Sequence, residues 1–197
     1  MSTGQNLGRV RGSILDAATR LFGAQGYAGT TMRDIATAVG VLPGSLYTHI
    51  SAKETLLLEI VEAGIDQFLT LLDAAGSDTD DPEPRLRALI RGHVEIVAEN
   101  PERTLVVFHQ WRYLSGESLE RVVGKRREYE ALFTTLVEDG MRSGVFNADL
   151  DTKVAVLSIL GALNWTPEWY SPDGPGTAGE IGDRLADTLL GGLQTRA

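Results

Sequence analysis

Apolar residues recur every three or four positions along most of the chain, and short glycine, proline and acidic stretches interrupt them. That spacing is helical. Ile14, Leu15, Ala18, Leu21 and Phe22 form one stripe. It predicts a helix from about Arg9 to Gln25, with Gly26 as its stop. Tyr27 follows, placed to pack against Phe22. From Lys53 a longer helix carries Leu56, Leu57, Ile60, Val61, Ile65, Phe68, Leu69 and Leu72 inward. GSDTDDPEP, Gly76 to Pro84, reads as a linker. Beyond it, Leu86, Leu89, Ile90, Val94 and Val97 mark a helix ending near Glu99. Asn100-Pro101 has the form of an N-cap with a first-turn proline. It introduces TLVVFHQWRYL, apolar around much of its circumference and expected as a regular, mostly buried helix. Leu119 to Met141 continues the pattern with Val122, Val123, Tyr129, Leu132, Phe133, Leu136 and Val137 inward and Lys125-Arg126-Arg127 mostly on the wet side. The chain predicts an all-α fold of about nine helices.

The most informative stretch is Thr30 to Glu54, TTMRDIATAVGVLPGSLYTHISAKE. Thr31 and Asp34 have the reciprocal spacing of a capping box, which starts a helix at Met32 with an acid at its positive end. Gly40 can take the positive φ needed where the chain turns. Val41 and Leu42 are apolar in that turn and are expected to pack inward. Pro43 suits the first position of a second short helix, from Gly44 to about Ile50. Ser51 and Glu54 repeat the capping-box spacing and predict a third helix whose opening turn displays Lys53, suited to a phosphate. Two helices joined by a glycine turn, the second presenting Gly44, Ser45, Tyr47, Thr48 and His49, describe a helix-turn-helix that enters the major groove. An αα-hairpin inside a bundle has the same spacing and stays open from these residues alone.

The run TTMRDIA…VGVLPGSLYTHISAKETL, Thr30 to Leu56, resembles the DNA-binding domain of the TetR family of bacterial transcriptional regulators. The resemblance implies a head over residues 8–52 and a ligand-binding and dimerising body over 53–197. It also implies DNA contacts by position. Pro43, Gly44 and Ser45 would meet the groove, Tyr47, Thr48, His49 and Lys53 would lie near the bases or phosphates, and Thr31 and Arg33 would touch the backbone from the supporting helix. One departure is visible: such families often carry Ser or Thr where Leu42 stands, so the capping of the reading helix is altered.

The last two helices differ in kind. Thr152 to about Thr166 is apolar nearly all round and needs cover on every side, whereas Thr177 and Glu180 open a final helix with one stripe, Ile181, Leu185, Ala186, Leu189 and Leu193. Packing helices 152–166 and 177–193 against the same pair of a second chain would satisfy both, giving a homodimer suited to a palindromic double-stranded operator. A fully intramolecular core is the alternative. The resemblance implies the same dimer.

Composition narrows the rest. With 197 residues and no cysteine, a sizeable core is available, while disulfides and thiolate chemistry are excluded. No signal-peptide core or membrane-length apolar run is present, so a cytoplasmic protein without membrane contact is expected. The net charge of −9 disfavours nucleic acid until it is divided: through residue 55, five cations face three carboxylates, a balance of +2 that leaves −11 beyond. His93 and His109 lack metal-ligand spacing, and His93 fits a helix flank. No HExxH, GxSxG, phosphate-binding loop or dinucleotide fingerprint occurs, so neither an enzyme, a metal site nor a cofactor is expected. A helical interaction module without DNA binding is the alternative function.

ALNWTPEWYSPDGPG, Ala162 to Gly176, resembles the C-terminal part of TetR-type regulators of fatty-acid, steroid and other acyl-CoA catabolism. This implies a small-molecule effector of the acyl-CoA type. Phe68, Phe108, Trp111 and Trp165 would line its acyl tunnel, and Arg103, Arg112 or Arg126 would lie near its phosphates. Core or subunit-interface packing is the other reading of each tryptophan, and a surface ion pair that of each arginine.

Overall fold

The computed structural model describes the backbone of residues 3–75 and 80–194 and the side chains of residues 9–71 and 80–194. Among these residues every regular element is helical: α1 (Thr3–Gly29), α2 (Met32–Val39), α3 (Pro43–Leu46), α4 (Lys53–Ala75), α5 (Pro82–Glu99), α6 (Pro101–Leu105), α7 (Gly116–Arg142), α8 (Thr152–Asn164), α9 (Thr166–Trp169) and α10 (Ala178–Gly191). The apolar spacing anticipated this all-α fold. The helix beyond the expected nine is the single turn α9, where Pro167 restarts the chain after α8. Of the anticipated linker, residues 76–79 lie outside the described ones. Its end is ordered into α5, whose first turn is capped by the Asp81 carboxylate accepting from Glu83 N. Two compact units result, one formed by the chain up to Gly64 together with Glu102–Val123, the other by Ile65–Pro101 and the chain from Gly124.

In the first unit the interior is built from Ile14, Ala18 and Phe22 of α1, Ile35 and Ala36 of α2, Leu46, Ile50, and Leu56 and Leu57 of α4, all buried. Gly26 breaks α1 with φ 78° and ψ 157°, and Tyr27 meets Phe22 edge-on with ring centroids 5.2 Å apart. TLVVFHQWRYL is not the regular helix its composition predicted. After α6 the chain widens into a π turn over Val106–Gln110 and then a 3-10 turn over Trp111–Tyr113. The wider turn lets three consecutive side chains, Val106, Val107 and Phe108, reach the interior. A β-carbon on Gly64 would lie 2.3 Å from Val107 Cγ2, so α4 must be side-chain-free there.

In the second unit α5 is the shared partner of α8, α9 and α10. Gly182 lets α10 approach it closely, since a β-carbon there would sit 2.8 Å from Arg91 Cα. Flanking this contact, Arg91 pairs with Asp183 at 2.9 Å and Arg87 with Asp187 at 2.6 Å. Both pairs are solvated, so they orient the helices more than they stabilise them. His93 is completely buried rather than on a helix flank. Its Nδ1 lies 2.8 Å from the Tyr129 hydroxyl, and the Phe68 ring stacks on it at 4.5 Å. Burial lowers the imidazole pKa to about 3 and raises the phenol. The pair is therefore neutral across physiological pH. Leu132, expected inward, is more than a third exposed on α7. The Thr177–Glu180 capping box forms as expected.

Candidate nucleic-acid interface

The Thr31-x-x-Asp34 spacing produces the structure it predicts. Thr31 Oγ1 accepts from Asp34 N at 3.2 Å, and the Asp34 carboxylate accepts from Thr31 N at 2.8 Å. Hydrogen bonds from the Thr31 side chain and then its backbone hold the Asp34 carboxyl below the usual range. Gly40 closes α2 with φ 78°, its N–H donating back to Ala36 and Thr37.

The second helix is shorter than Gly44 to Ile50. Its α-helical part is Pro43–Leu46, and single-turn bonds from Thr48 N to Ser45 O, His49 N to Leu46 O and Ile50 N to Leu46 O carry the chain onward. Leu42 occupies the N-cap and supplies no side-chain bond. It does not pack inward as expected but is 78% exposed, on backbone held extended ahead of Pro43 at φ −69° and ψ 142°. Leu46 and Ile50 are buried, whereas Pro43, Gly44, Ser45, Tyr47 and Thr48 are exposed. Helix α3 thus presents nearly all its small and hydroxyl-bearing side chains to solvent. A β-carbon on Gly44 would meet nothing within 4 Å, so the fold itself does not require glycine there. Thr31 and Arg33 are exposed at the start of α2.

A side-chain bond ties this short element to α1, and further bonds fix the elements beside it. Arg11 Nη1 donates to the His49 carbonyl at 3.0 Å while the same guanidinium pairs with Glu59. Tyr27 N donates to Gln110 Oε1 at 3.1 Å, and Tyr113 lays its ring 5.2 Å from that of Tyr27. The expected Ser51–Glu54 capping box is absent. Glu54 instead accepts from Ser115 N at 2.8 Å and from Ser115 Oγ at 3.0 Å, leaving Ser51 Oγ to pair with Thr55 Oγ1. The competing donors lie sixty-one residues downstream, where local spacing carries no signal.

Lys53 also departs from expectation. Its ammonium donates to the carbonyls of Tyr27 and Thr30, both at 2.7 Å, and sits 4.0 Å above the Tyr27 ring. Partial desolvation lowers its pKa. Two of its three protons are thus engaged with the end of α1, and the side chain is a clamp before it is a phosphate anchor. The exposed cation on the supporting helix is Arg33.

The residues expected at an effector are distributed. Phe108 is buried in the π turn; Trp111 Nε1 donates to Phe108 O at 3.1 Å; Arg112 lies over the Trp111 ring at 4.9 Å; and Arg103 is half-buried on α6. These four belong to the first unit, while Phe68 and Trp165 belong to the second. Phe68 is core, and Trp165 is 58% exposed at the end of α8.

A capped positioning helix, a glycine turn and an exposed short helix at the head of an all-helical chain define a helix-turn-helix DNA-binding regulator. Comparison with known proteins agrees. Residues 14–60 match the bacterial regulatory proteins of the tetR family, and residues 79–193 match the tetracyclin repressor-like C-terminal domain. The chain belongs to the TetR family. The HTH-type transcriptional repressor KstR2 of Mycobacterium tuberculosis (strain ATCC 25618 / H37Rv) is 26% identical over 184 residues, 93% of this chain and 92% of the relative. The solved structure of that organism's ketosteroid transcriptional regulator KstR2 superposes with a TM-score of 0.86 at 26% identity, covering 94% of this chain and 95% of the other. AibR, solved in complex with isovaleryl coenzyme A and operator DNA, gives a TM-score of 0.84 at 29% identity over 92% of this chain and 98% of the other. The family and these relatives are regulators of transcription, not enzymes. No described helix is long and apolar enough to cross a membrane.

Proposed function

We propose that the protein is a ligand-responsive repressor that binds a palindromic operator as a homodimer and is released by a small molecule. The observation that carries the reading is α3. It is too short to stand alone, is tied to α1 through Arg11 and buries Leu46, and still exposes nearly every side chain that its core contacts do not need. We keep residues 8–52 as the reading head and 53–197 as the effector and dimer body. Pro43, Gly44 and Ser45 serve as groove contacts, and Tyr47, Thr48 and His49 as backbone or phosphate contacts together with Thr31 and Arg33. Lys53 acts mainly by fixing the end of α1. Fluorescence anisotropy with a palindrome from the gene's upstream region tests this. Sequence-specific binding that weakens steeply with salt is expected; its absence favours a helical interaction module instead.

The dimer reading rests on α8. Val154, Leu157, Gly161 and Trp165 are exposed at helical spacing, with Val154 at 59%. A groove beside them is lined by Ala155, Ile159, Leu189 and Leu193. A second copy of the α8 and α10 pair covers this face isologously. Helix α10 already uses much of its stripe within its own chain, so α8 supplies most of the apolar contact. Light scattering after size exclusion at micromolar protein should give twice the 21.3 kDa chain mass.

For the effector, the NW…WY stretch and the coenzyme A thioester bound by AibR support an acyl-CoA. Phe108, Trp111, Arg103 and Arg112, all of the first unit, are the residues proposed to meet it, whereas Phe68 packs on His93 in the core of the second. Trp165 is better placed for the dimer face. Native mass spectrometry of protein purified from its own host should show a retained species of CoA-thioester mass. Release of operator DNA by isovaleryl-CoA would be the functional counterpart.

A further inference from the structure

From Ile35 to Ala52 the chain holds no Lys, Arg, Asp, Glu, Asn or Gln. Those are the side chains that identify bases by paired hydrogen bonds in the major groove. What the reading element has instead are hydroxyls, apolar groups and the single imidazole of His49. One hydroxyl is engaged internally, since Thr48 Oγ1 donates to Ser45 O at 2.7 Å. Leu42 is the most exposed large apolar side chain among the described residues. A lone exposed leucine is ordinary, but this one has two further properties. It stands at the N-cap of α3, where Ser or Thr would add a stabilising bond. Its backbone is also held extended ahead of Pro43, directly beside the exposed Gly44 and Ser45. The fold gains nothing from it there.

We propose that Leu42 is a specificity-determining residue that reads thymine through its 5-methyl group in the operator's major groove. This rests on the DNA-binding reading above and deepens it. Thymine is the base that offers an apolar group in that groove, and burying leucine against it removes both from water. Cytosine at the same place presents an amino group, which leucine would cover without accepting its hydrogen bond. The reading element therefore discriminates by methyl contact and hydroxyl contact rather than by an arginine or amide fork.

The test begins with the full-length protein selecting operators from a random-sequence duplex pool. Each thymine of the selected operator is then replaced by deoxyuridine, which lacks only the methyl, symmetrically in both half-sites. Wild-type protein should lose affinity at one position by roughly three- to five-fold per half-site, the worth of about one buried methyl. Leu42→Ala and Leu42→Ser should be indifferent to the same replacement. The serine variant is the decisive one. It restores the missing cap, so it should melt no lower than wild type while losing methyl sensitivity, which separates recognition from folding. A wild type that tolerates deoxyuridine everywhere, or a Leu42→Ser protein that keeps the full penalty, overturns the assignment while leaving DNA binding intact. A selection that enriches no sequence overturns the regulator reading and the assignment with it.

Discussion

Helices α2 and α3 are neighbours of similar purpose and opposite construction. The first has a reciprocal cap, a left-handed glycine at its end and two buried residues facing the core. The second has no side-chain cap, one buried residue and an exposed leucine where the cap should be. Helix α2 satisfies its own backbone and sets a position; α3 is held by others and leaves its surface for a partner. The difference teaches that stability and recognition are divided between the two halves of the motif rather than shared by both.

Four measurements break or sharpen that contrast. The largest effect is expected at Leu46, which is fully buried. Leu46→Ala should lower urea stability by about 2–5 kcal/mol through the cavity it leaves, while Leu42→Ala should change it by less than about 0.5 kcal/mol. Comparable losses would mean that Leu42 is structural. The two glycines come next. Gly40→Ala forces a side chain into positive φ and should cost about 1–2 kcal/mol. Gly44→Ala meets open space in the free protein, so it should leave the melting temperature in place and weaken operator binding in an anisotropy titration. Caps should then act with opposite signs. Thr31→Ala is expected to cost about 1 kcal/mol, and Leu42→Ser to return a similar amount. The smallest effect separates clamp from anchor at Lys53. Lys53→Gln should lower thermal stability and leave the salt slope of binding unchanged, whereas a slope reduced by about one contact would restore the phosphate role.

What was readable in the sequence was local. Thr31 and Asp34 lie within one turn of each other, so their spacing alone determines the bond, and Gly40 and Pro43 act through their own backbones. The apolar stripes gave the helices for the same reason. Ser51 and Glu54 had the same spacing as Thr31 and Asp34, but Glu54 found better donors at Ser115, and no local pattern announces such a competitor. TLVVFHQWRYL is apolar around much of its circumference, so its sequence has little phase from which to read a π turn. His93 stands beside a buried phenol that only the fold brings to it. At the reading helix, Leu42 was visible as a departure from family habit, but its exposure was not. The missing amide and charged side chains from Ile35 to Ala52 were the signal that could have marked it.

The Glu54–Ser115 and Tyr27–Gln110 bonds carry one more consequence, for the order in which the chain comes off the ribosome. They join positions sixty-one and eighty-three residues apart, so the reading element is complete as a sequence long before these two bonds can form. At a synthesis rate of about 5–20 residues per second, the head waits roughly 3–12 seconds for the last of them. A nascent or truncated chain ending soon after α4 begins would therefore carry every reading residue, with the Arg11 and Lys53 bonds but without these two.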